Sequence, residues 1–238
     1  MSGEDYLAEY RRAGSIDLSK GIGGWLRRKL DLKANSIGQR DRHSLFMPRV
    51  FELAGVSPND PKTVLEIGCG SGWAISYRHS LVRYIAVDQG SLYRTELEGR
   101  GVEFHEADVA SEPLPINDGQ VDLIILNHLI EHIANCEFFV RQLRRVLCLG
   151  GVVYIRTPNL ERMKWSFWDD YTHVKPFTSR ALDHLMCTVG FERRFMLDSD
   201  HPRILLDTWT NGLWRRVLFS KSFGGKEIEA GYVLISKE

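Results

Sequence analysis

The sequence predicts an α/β domain: a mostly parallel sheet with helices on both faces. Three observations predict it. Short, nearly continuous apolar runs recur between residues 62 and 160, separated by segments able to hold helices. Strands of that kind are buried on both faces, as crossover helices require of a parallel sheet. The first run leads into a glycine-rich loop, "VLEIGCGSG", and the next two end in acids.

The elements follow in order. "KTVLEIG" reads as the first strand, "RYIAVDQG" as the second, "VEFHEAD" as the third, "VDLIILNH" as the fourth and "GGVVYIRTPN" as the fifth. Before the fifth, "CEFFVRQLRRVLCLGG" reads as a helix stopped by its double glycine. "ERMKWSFWDDYTHVKPFTS" is a long connection rich in aromatics. "SRALDHLMCTVG" reads as a helix with Ser179 as N-cap and Gly190 beyond its end. "FERRFMLDSD" and "EAGYVLISKE" are the last two strands. The insert between them, 201–226, is too long for a hairpin loop and is expected to hold helical structure.

Residues 1–60 contain no convincing strand. "DYLAEYRR", "GGWLRRKLDLKA" and "HSLFMPRVFELAG" have loosely amphipathic helical spacing, and "VSPNDPK" closes the region with turn chemistry. The expected organisation is a helical cap over 1–60 and an α/β domain over 61–238.

Composition narrows the function classes. Lys plus Arg equals Asp plus Glu at 31 each, so overall charge supplies no attraction to nucleic acid. The 43% apolar and 26% charged content is that of a soluble globular chain. The four cysteines form no C-x-x-C pair, which reads as reduced thiols in a cytoplasmic setting. The start, "MSGEDYLAEYRR", lacks an apolar signal core, and no apolar run approaches the ~20 residues of a membrane helix.

The glycine loop carries the first chemistry. Gly68, Gly70 and Gly72 allow positive φ and close backbone approach to a ligand beyond the strand ends. Their G-x-G-x-G spacing departs from the G-x-G-x-x-G of a dinucleotide cradle. Asp88, ending the second strand, lies 20 positions past Gly68. A carboxylate there can accept hydrogen bonds from both hydroxyls of a ribose. Asp108 closes the third strand's run, placed to meet an adenine amino group.

"VLEIGCGSG", "VDQG", "EAD", "PLPINDGQVDLIILNHLIEHI" and "LCLGGVVYIRTPN" together resemble the successive motifs of the class I S-adenosylmethionine-dependent methyltransferases. The resemblance covers residues 62 to about 160. It implies a Rossmann-like, seven-stranded, mostly parallel sheet whose last strand is antiparallel. It also implies S-adenosylmethionine as cofactor. Glu66, Gly68, Cys69, Gly70 and Gly72 of the loop would then border the cofactor, with Gly68 and Gly70 beside its methionine part. Asp88 and Gln89 would serve the ribose, Asp108 and Val109 the adenine, and Asn127 would border the methyl group.

The stretch "NHLIEH", 127–132, adds a second site. His128, Glu131 and His132 stand at i, i+3 and i+4, one face of a helix. Here the chain is similar to the small-RNA 2′-O-methyltransferases and the ubiquinone-pathway O-methyltransferases, which have E-x-x-E-H after strand four. That likeness implies a divalent metal ligated by Glu131 and His132, with His173 as a later ligand and His128 in a glutamate's place. A donor set of imidazoles and one carboxylate suits zinc, iron or manganese better than magnesium. The residues alone leave two other readings open, a metal-free catalytic or substrate-binding role and plain scaffolding.

For methyl transfer to an alcohol, a base must reach the hydroxyl proton. His173 is the first choice without a metal, followed by His132 and Asp170. Trp165, Phe167, Trp168 and Tyr171 either wall the acceptor pocket, stack on a sugar face or pack as a lid. "FWDDYTHVKPFTSRALDHLMCTVGF" resembles segments of polysaccharide, O-antigen and natural-product glycoside methyltransferases. The resemblance implies O-methylation of a saccharide or glycoconjugate hydroxyl in polysaccharide biosynthesis or a related pathway. The alternatives are a small phenol or quinone precursor, an RNA, or a non-catalytic cofactor-binding partner subunit. The insert, with Arg215, Arg216 and Lys221 among apolar residues, would either rest on a membrane surface or pack on the sheet or a partner.

Overall fold

The computed structural model describes residues 47–72, 74–197 and 227–235. The expected helices "DYLAEYRR" and "GGWLRRKLDLKA" and the insert 201–226 lie outside them. Among the described residues no helix is long and apolar enough to cross a membrane.

Seven strands form one sheet: β1 (Thr63–Ile67), β2 (Arg83–Asp88), β3 (Glu103–Glu106), β4 (Val121–Asn127), β5 (Leu147–Pro158), β6 (Phe191–Leu197) and β7 (Glu227–Leu234). Their order is β3-β2-β1-β4-β5-β7-β6. The first five pair in parallel, and β7 runs antiparallel to both β5 and β6. The expected sheet, antiparallel last strand included, is the one observed.

The helices among the described residues are α1 (47–53), α2 (Arg94–Gly99), α3 (Cys136–Val146), the single turn α4 (Leu160–Met163) and α5 (Ser179–Cys187). The strands are apolar throughout because both faces are covered. Leu65, Ile67, Ile124 and Leu126 pack against Phe139, Val140 and Leu143 of α3 and Leu182 and Met186 of α5. Val64, Leu123 and Ile125 share the opposite layer with Met47, Val50 and Phe51 of α1 and Leu97 of α2. Each large side chain buried in these layers contributes roughly 1.5–3 kcal/mol. The last part of the expected cap, 47–56, is thus embedded in the core under the sheet: Met47, Val50 and Phe51 are fully buried.

Two local expectations are corrected. The double glycine does not stop α3. The helix ends at Val146, and Gly150 and Gly151 lie within β5. Leu147 already pairs with Val121, the register shifts before Leu123, and Gly150 takes φ 80° to absorb the irregularity. A Cβ on Gly151 would sit 3.1 Å from the Asp122 carbonyl, so close strand approach also demands glycine there. The N-cap of α5 is Thr178, not Ser179. The Thr178 hydroxyl accepts from the Ala181 amide at 3.2 Å, which places Ser179 in the first turn.

The strand order reverses between β1 and β4. Sheets of this kind bind ligands in the crevice outside the carboxyl ends of the strands at that reversal. Ile67 pairs with Leu126, so the glycine loop after β1 and the "NHLIEH" stretch after β4 face each other across it.

Candidate functional site

The glycine loop is built as its spacing requires. Gly68, Gly70 and Gly72 all take positive φ, at 68°, 48° and 69°. Two of them also meet crowding. A Cβ on Gly68 would press Leu129 at 3.2 Å, and one on Gly72 would collide with Leu97 at 2.4 Å. Gly70, half-buried, meets nothing within 4 Å, so its backbone borders open space.

Asp88 joins that loop. Its Oδ2 accepts from the Gly70 amide at 2.9 Å and, weakly, from the Cys69 thiol at 3.8 Å; its Oδ1 accepts from Gly90 at 3.2 Å. Burial pushes the Cys69 thiol up, with the carboxylates of Glu66 and Asp88 adding to the shift, so the thiol stays protonated. Gln89, next along, is exposed. Asn127, at the end of β4, keeps a buried Oδ1 with no hydrogen-bond partner among the described residues.

Glu66 is placed deeper than a simple cofactor contact. It is 1% exposed and takes a 2.6 Å hydrogen bond from the Tyr84 hydroxyl. Its Oε1 has no hydrogen-bond partner among the described residues. Burial pushes its pKa up to about 7, against the opposing Tyr84 hydrogen bond. Asp108 lies two residues past the end of β3, in a turn it caps itself. Its carboxylate accepts from the Ala110 amide at 3.1 Å and the Ser111 hydroxyl at 2.7 Å. Val109 beside it is buried.

The second cluster departs from the helical expectation. Only Ile130–His132 form a helical turn, of the 3-10 type, and His128 stands before it at φ 52°. His128 Nδ1 donates to Glu131 Oε1 at 3.1 Å, and its Nε2 donates to Glu227 Oε1 at 3.1 Å. Burial alone would depress this ring, but the hydrogen bonds to Glu131 and Glu227 outweigh it and raise the pKa to about 9. The expected ligand whose donor atoms do not join the converging group among the described residues is His128.

Glu131, His132 and His173 do converge, with one ligand atom from each lying within 4.8 Å of the others. Glu131 is fully buried, and its Oε2 accepts from the Thr157 hydroxyl at 2.8 Å. His132 Nδ1 lies 3.1 Å from the Thr172 carbonyl, and His173 Nδ1 lies 2.7 Å from the Phe167 carbonyl. A carbonyl accepts only, so each Nδ1 donates its proton, which leaves Nε2 as the lone-pair atom of the ring in its neutral form. The two rings are 5.0 Å apart, and buried Phe167 packs on His173 at 4.6 Å. Asp170 Oδ2 stands 3.8 Å from His173 Nε2, and its Oδ1 holds the Thr172 hydroxyl and amide at 2.6 and 3.0 Å. Around this cluster Trp165, Trp168 and Tyr171 are exposed, Trp165 at 86%.

Several participants escaped the sequence reading. Glu227 and Arg156 form an ion pair, and Arg156 also reaches Glu229 at 3.1 Å. Burial opposes ionisation of Glu227, but His128 and Arg156 hold its carboxyl down at about 2. Thr172 and Thr157 orient the triad. Thr157 lies within β5, in the run "GGVVYIRTPN" read as the fifth strand. Glu227, 99 residues from His128, carried no signal.

The strand order, the three-glycine turn and the acid of β2 at the reversal define a class: the class I S-adenosylmethionine-dependent methyltransferase fold. The comparisons agree. The profile of a family described as a methyltransferase domain matches residues 39–194. A probable S-adenosylmethionine-dependent methyltransferase of Mycobacterium tuberculosis is 35% identical over 125 residues, 51% of this chain and 44% of that protein. A malonyl-[acyl-carrier protein] O-methyltransferase of Enterobacter lignolyticus is 30% identical over 144 residues, 57% of this chain and 56% of that protein. The crystal structure of an S-adenosylmethionine-dependent methyltransferase from Mesorhizobium loti shares the fold with a TM-score of 0.57 at 15% identity, over 78% of this chain and 97% of that one. This chain belongs to the methyltransferase-domain family, whose cofactor is S-adenosylmethionine. It spans about half the length of the curated relatives it matches.

Proposed function

We propose that this chain transfers a methyl group from S-adenosylmethionine to a hydroxyl oxygen of a saccharide or glycoconjugate. The observation that carries the reading is the convergence of His132 and His173, each ring oriented by a carbonyl at its own Nδ1. His132 lies in the loop after β4, five residues past Asn127.

The residues at the reversal fit the cofactor. Gly70 borders open space, Asp88 stands at the end of β2, and Asn127 Oδ1 is a buried acceptor without a partner among the described residues. When bound, S-adenosylmethionine supplies a methyl carbon activated by its sulfonium. Asp88 would orient the ribose, and the glycine loop would let the methionine part approach the backbone closely. His173 Nε2 takes the acceptor's hydroxyl proton, Asp170 stabilises the resulting imidazolium, and the freed oxygen is aligned for in-line attack.

A divalent ion also fits the donor set. Glu131, His132 and His173 would hold it, and it would lower the pKa of the acceptor hydroxyl. In that state His173 is a ligand rather than the base.

The aromatic segment supports a saccharide. Trp165 and Tyr171 are too exposed to be core, and flat apolar faces beside polar groups suit the CH-rich face of a pyranose. All four cysteines are free thiols, which supports a reducing, cytoplasmic setting. The balanced charge of 31 against 31 disfavours a nucleic-acid acceptor.

The test is mass spectrometry after incubation with isotopically labelled S-adenosylmethionine and parallel panels of oligosaccharides, glycolipids and phenols. The reading expects label on a sugar hydroxyl. Label confined to phenols, nitrogen or RNA overturns it.

A further inference from the structure

We infer that His128 and Glu227 are positioning residues that hold the His132–His173 pair in place through Glu131. The inference rests on the reading of that pair as the acceptor-handling site.

The contacts form one continuous path. Glu227 opens β7, where Pro158 of β5 is its cross-strand neighbour. One of its oxygens pairs with Arg156, which also reaches Glu229 at 3.1 Å, so the carboxylate is anchored to the sheet. Its other oxygen accepts from His128 Nε2 at 3.1 Å. His128 Nδ1 in turn donates to Glu131 Oε1 at 3.1 Å. The far oxygen of Glu131 is taken by Thr157 at 2.8 Å, so the side chain is gripped from both sides.

Glu131 passes this order on to both imidazoles. It precedes His132 in the 3-10 turn. Its main-chain carbonyl accepts from the amides of Val174 and Lys175, both at 2.9 Å, and so pins the chain just after His173. One fully buried residue therefore braces the two rings from their shared side. Removing the His128 hydrogen bond would leave a buried carboxylate oxygen without that partner, and such a group rearranges to recover one.

The backbone of His128 supports the same conclusion. A side chain at φ 52° is strained, and strain of this kind persists only where surrounding contacts over-determine it. The contacts that do so are the two carboxylates and the bond from the His128 amide to the Arg156 carbonyl at 2.9 Å.

The test uses the full chain in two assays. The first needs no acceptor. Long-range proton–nitrogen spectra of histidine-labelled protein report the ring nitrogens of His132 and His173. We expect those signals to move in Glu227→Ala and to return in Glu227→Gln, which keeps an acceptor oxygen for His128. The second measures methylation. Glu227→Ala should lower turnover about 10–100-fold, the usual loss for an outer partner. The S-adenosylmethionine dissociation constant should change by no more than about twofold, and Glu227→Gln should restore most of the rate.

Unmoved His132 and His173 signals in Glu227→Ala overturn the inference. So does a turnover loss that simply multiplies with that of His173→Ala, because independent sites add in free energy. If Glu227→Ala fails to fold, Glu227→Asp takes its place, since the shortened side chain cannot keep both partners. If no acceptor is methylated but the ring signals move as expected, the functional reading falls and the positioning role stands.

Discussion

The Gly70 amide donates to Asp88 Oδ2 across 2.9 Å, so the glycine loop and the acid of β2 act as one unit. The loop's shape and the carboxylate's aim depend on each other. Substitution at either residue should therefore disturb the same ligand.

Asp88→Ala should weaken S-adenosylmethionine binding by about 100-fold or more. It removes an acceptor for ribose hydroxyls and the anchor of the loop, and each hydrogen bond to a charged group contributes roughly 1.5–3 kcal/mol. Calorimetry decides it, and unchanged affinity would remove the ribose assignment.

Glu66 should make stability depend on pH. Its folded pKa of about 7 is raised above the ordinary carboxylate value by burial. A raised pKa means the folded state holds its proton more tightly than the unfolded state. Stability is then undiminished below the ordinary carboxylate pKa and falls as pH climbs toward 7. The loss approaches about 3 kcal/mol above that. Glu66→Gln, which can still accept from Tyr84, should escape this loss. Urea titrations of both proteins at pH 5 and pH 8 should show the variant gaining relative to the parent as pH rises. A pH-independent difference would mean that Glu66 is already ionised in the fold.

His173→Ala should reduce turnover roughly 10²–10⁴-fold, the range for loss of a general base. Cofactor affinity should stay within about twofold. A variant with normal turnover would exclude His173 both as base and as essential ligand.

If a divalent ion assists, exhaustive chelation should abolish activity, and zinc, iron or manganese should restore it. His132→Ala should then lose zinc affinity by calorimetry as well as rate. Full activity in metal-free protein would assign the triad to proton transfer alone.

Much of this was legible in the chain. The five parallel strands declared themselves as apolar runs because both faces of each are buried, a local signature that needs no knowledge of partners. Gly68, Gly70 and Gly72 could be read because only glycine takes three left-handed φ angles in one turn without strain. The end of α3 was misread for a related reason. Gly150 and Gly151 meet a need for positive φ and close approach inside a strand, and a glycine pair looks the same in either role. Likewise "TSR" offers two capping hydroxyls, and the backbone decided for Thr178.

By itself the sequence determined the fold class, the glycine loop beyond the first strand and the presence of titratable groups after β4. Those follow from periodicity, glycine geometry and short-range order. Only the tertiary structure decided how those groups divide. His128 binds Glu227, 99 residues away, which arrives beside it because β7 inserts antiparallel next to β5. His132 and His173 become a pair because carbonyls of one loop take both Nδ1 protons. Such selections depend on which carboxylate or carbonyl lies within about 3 Å of a ring nitrogen, and chain order does not encode that distance.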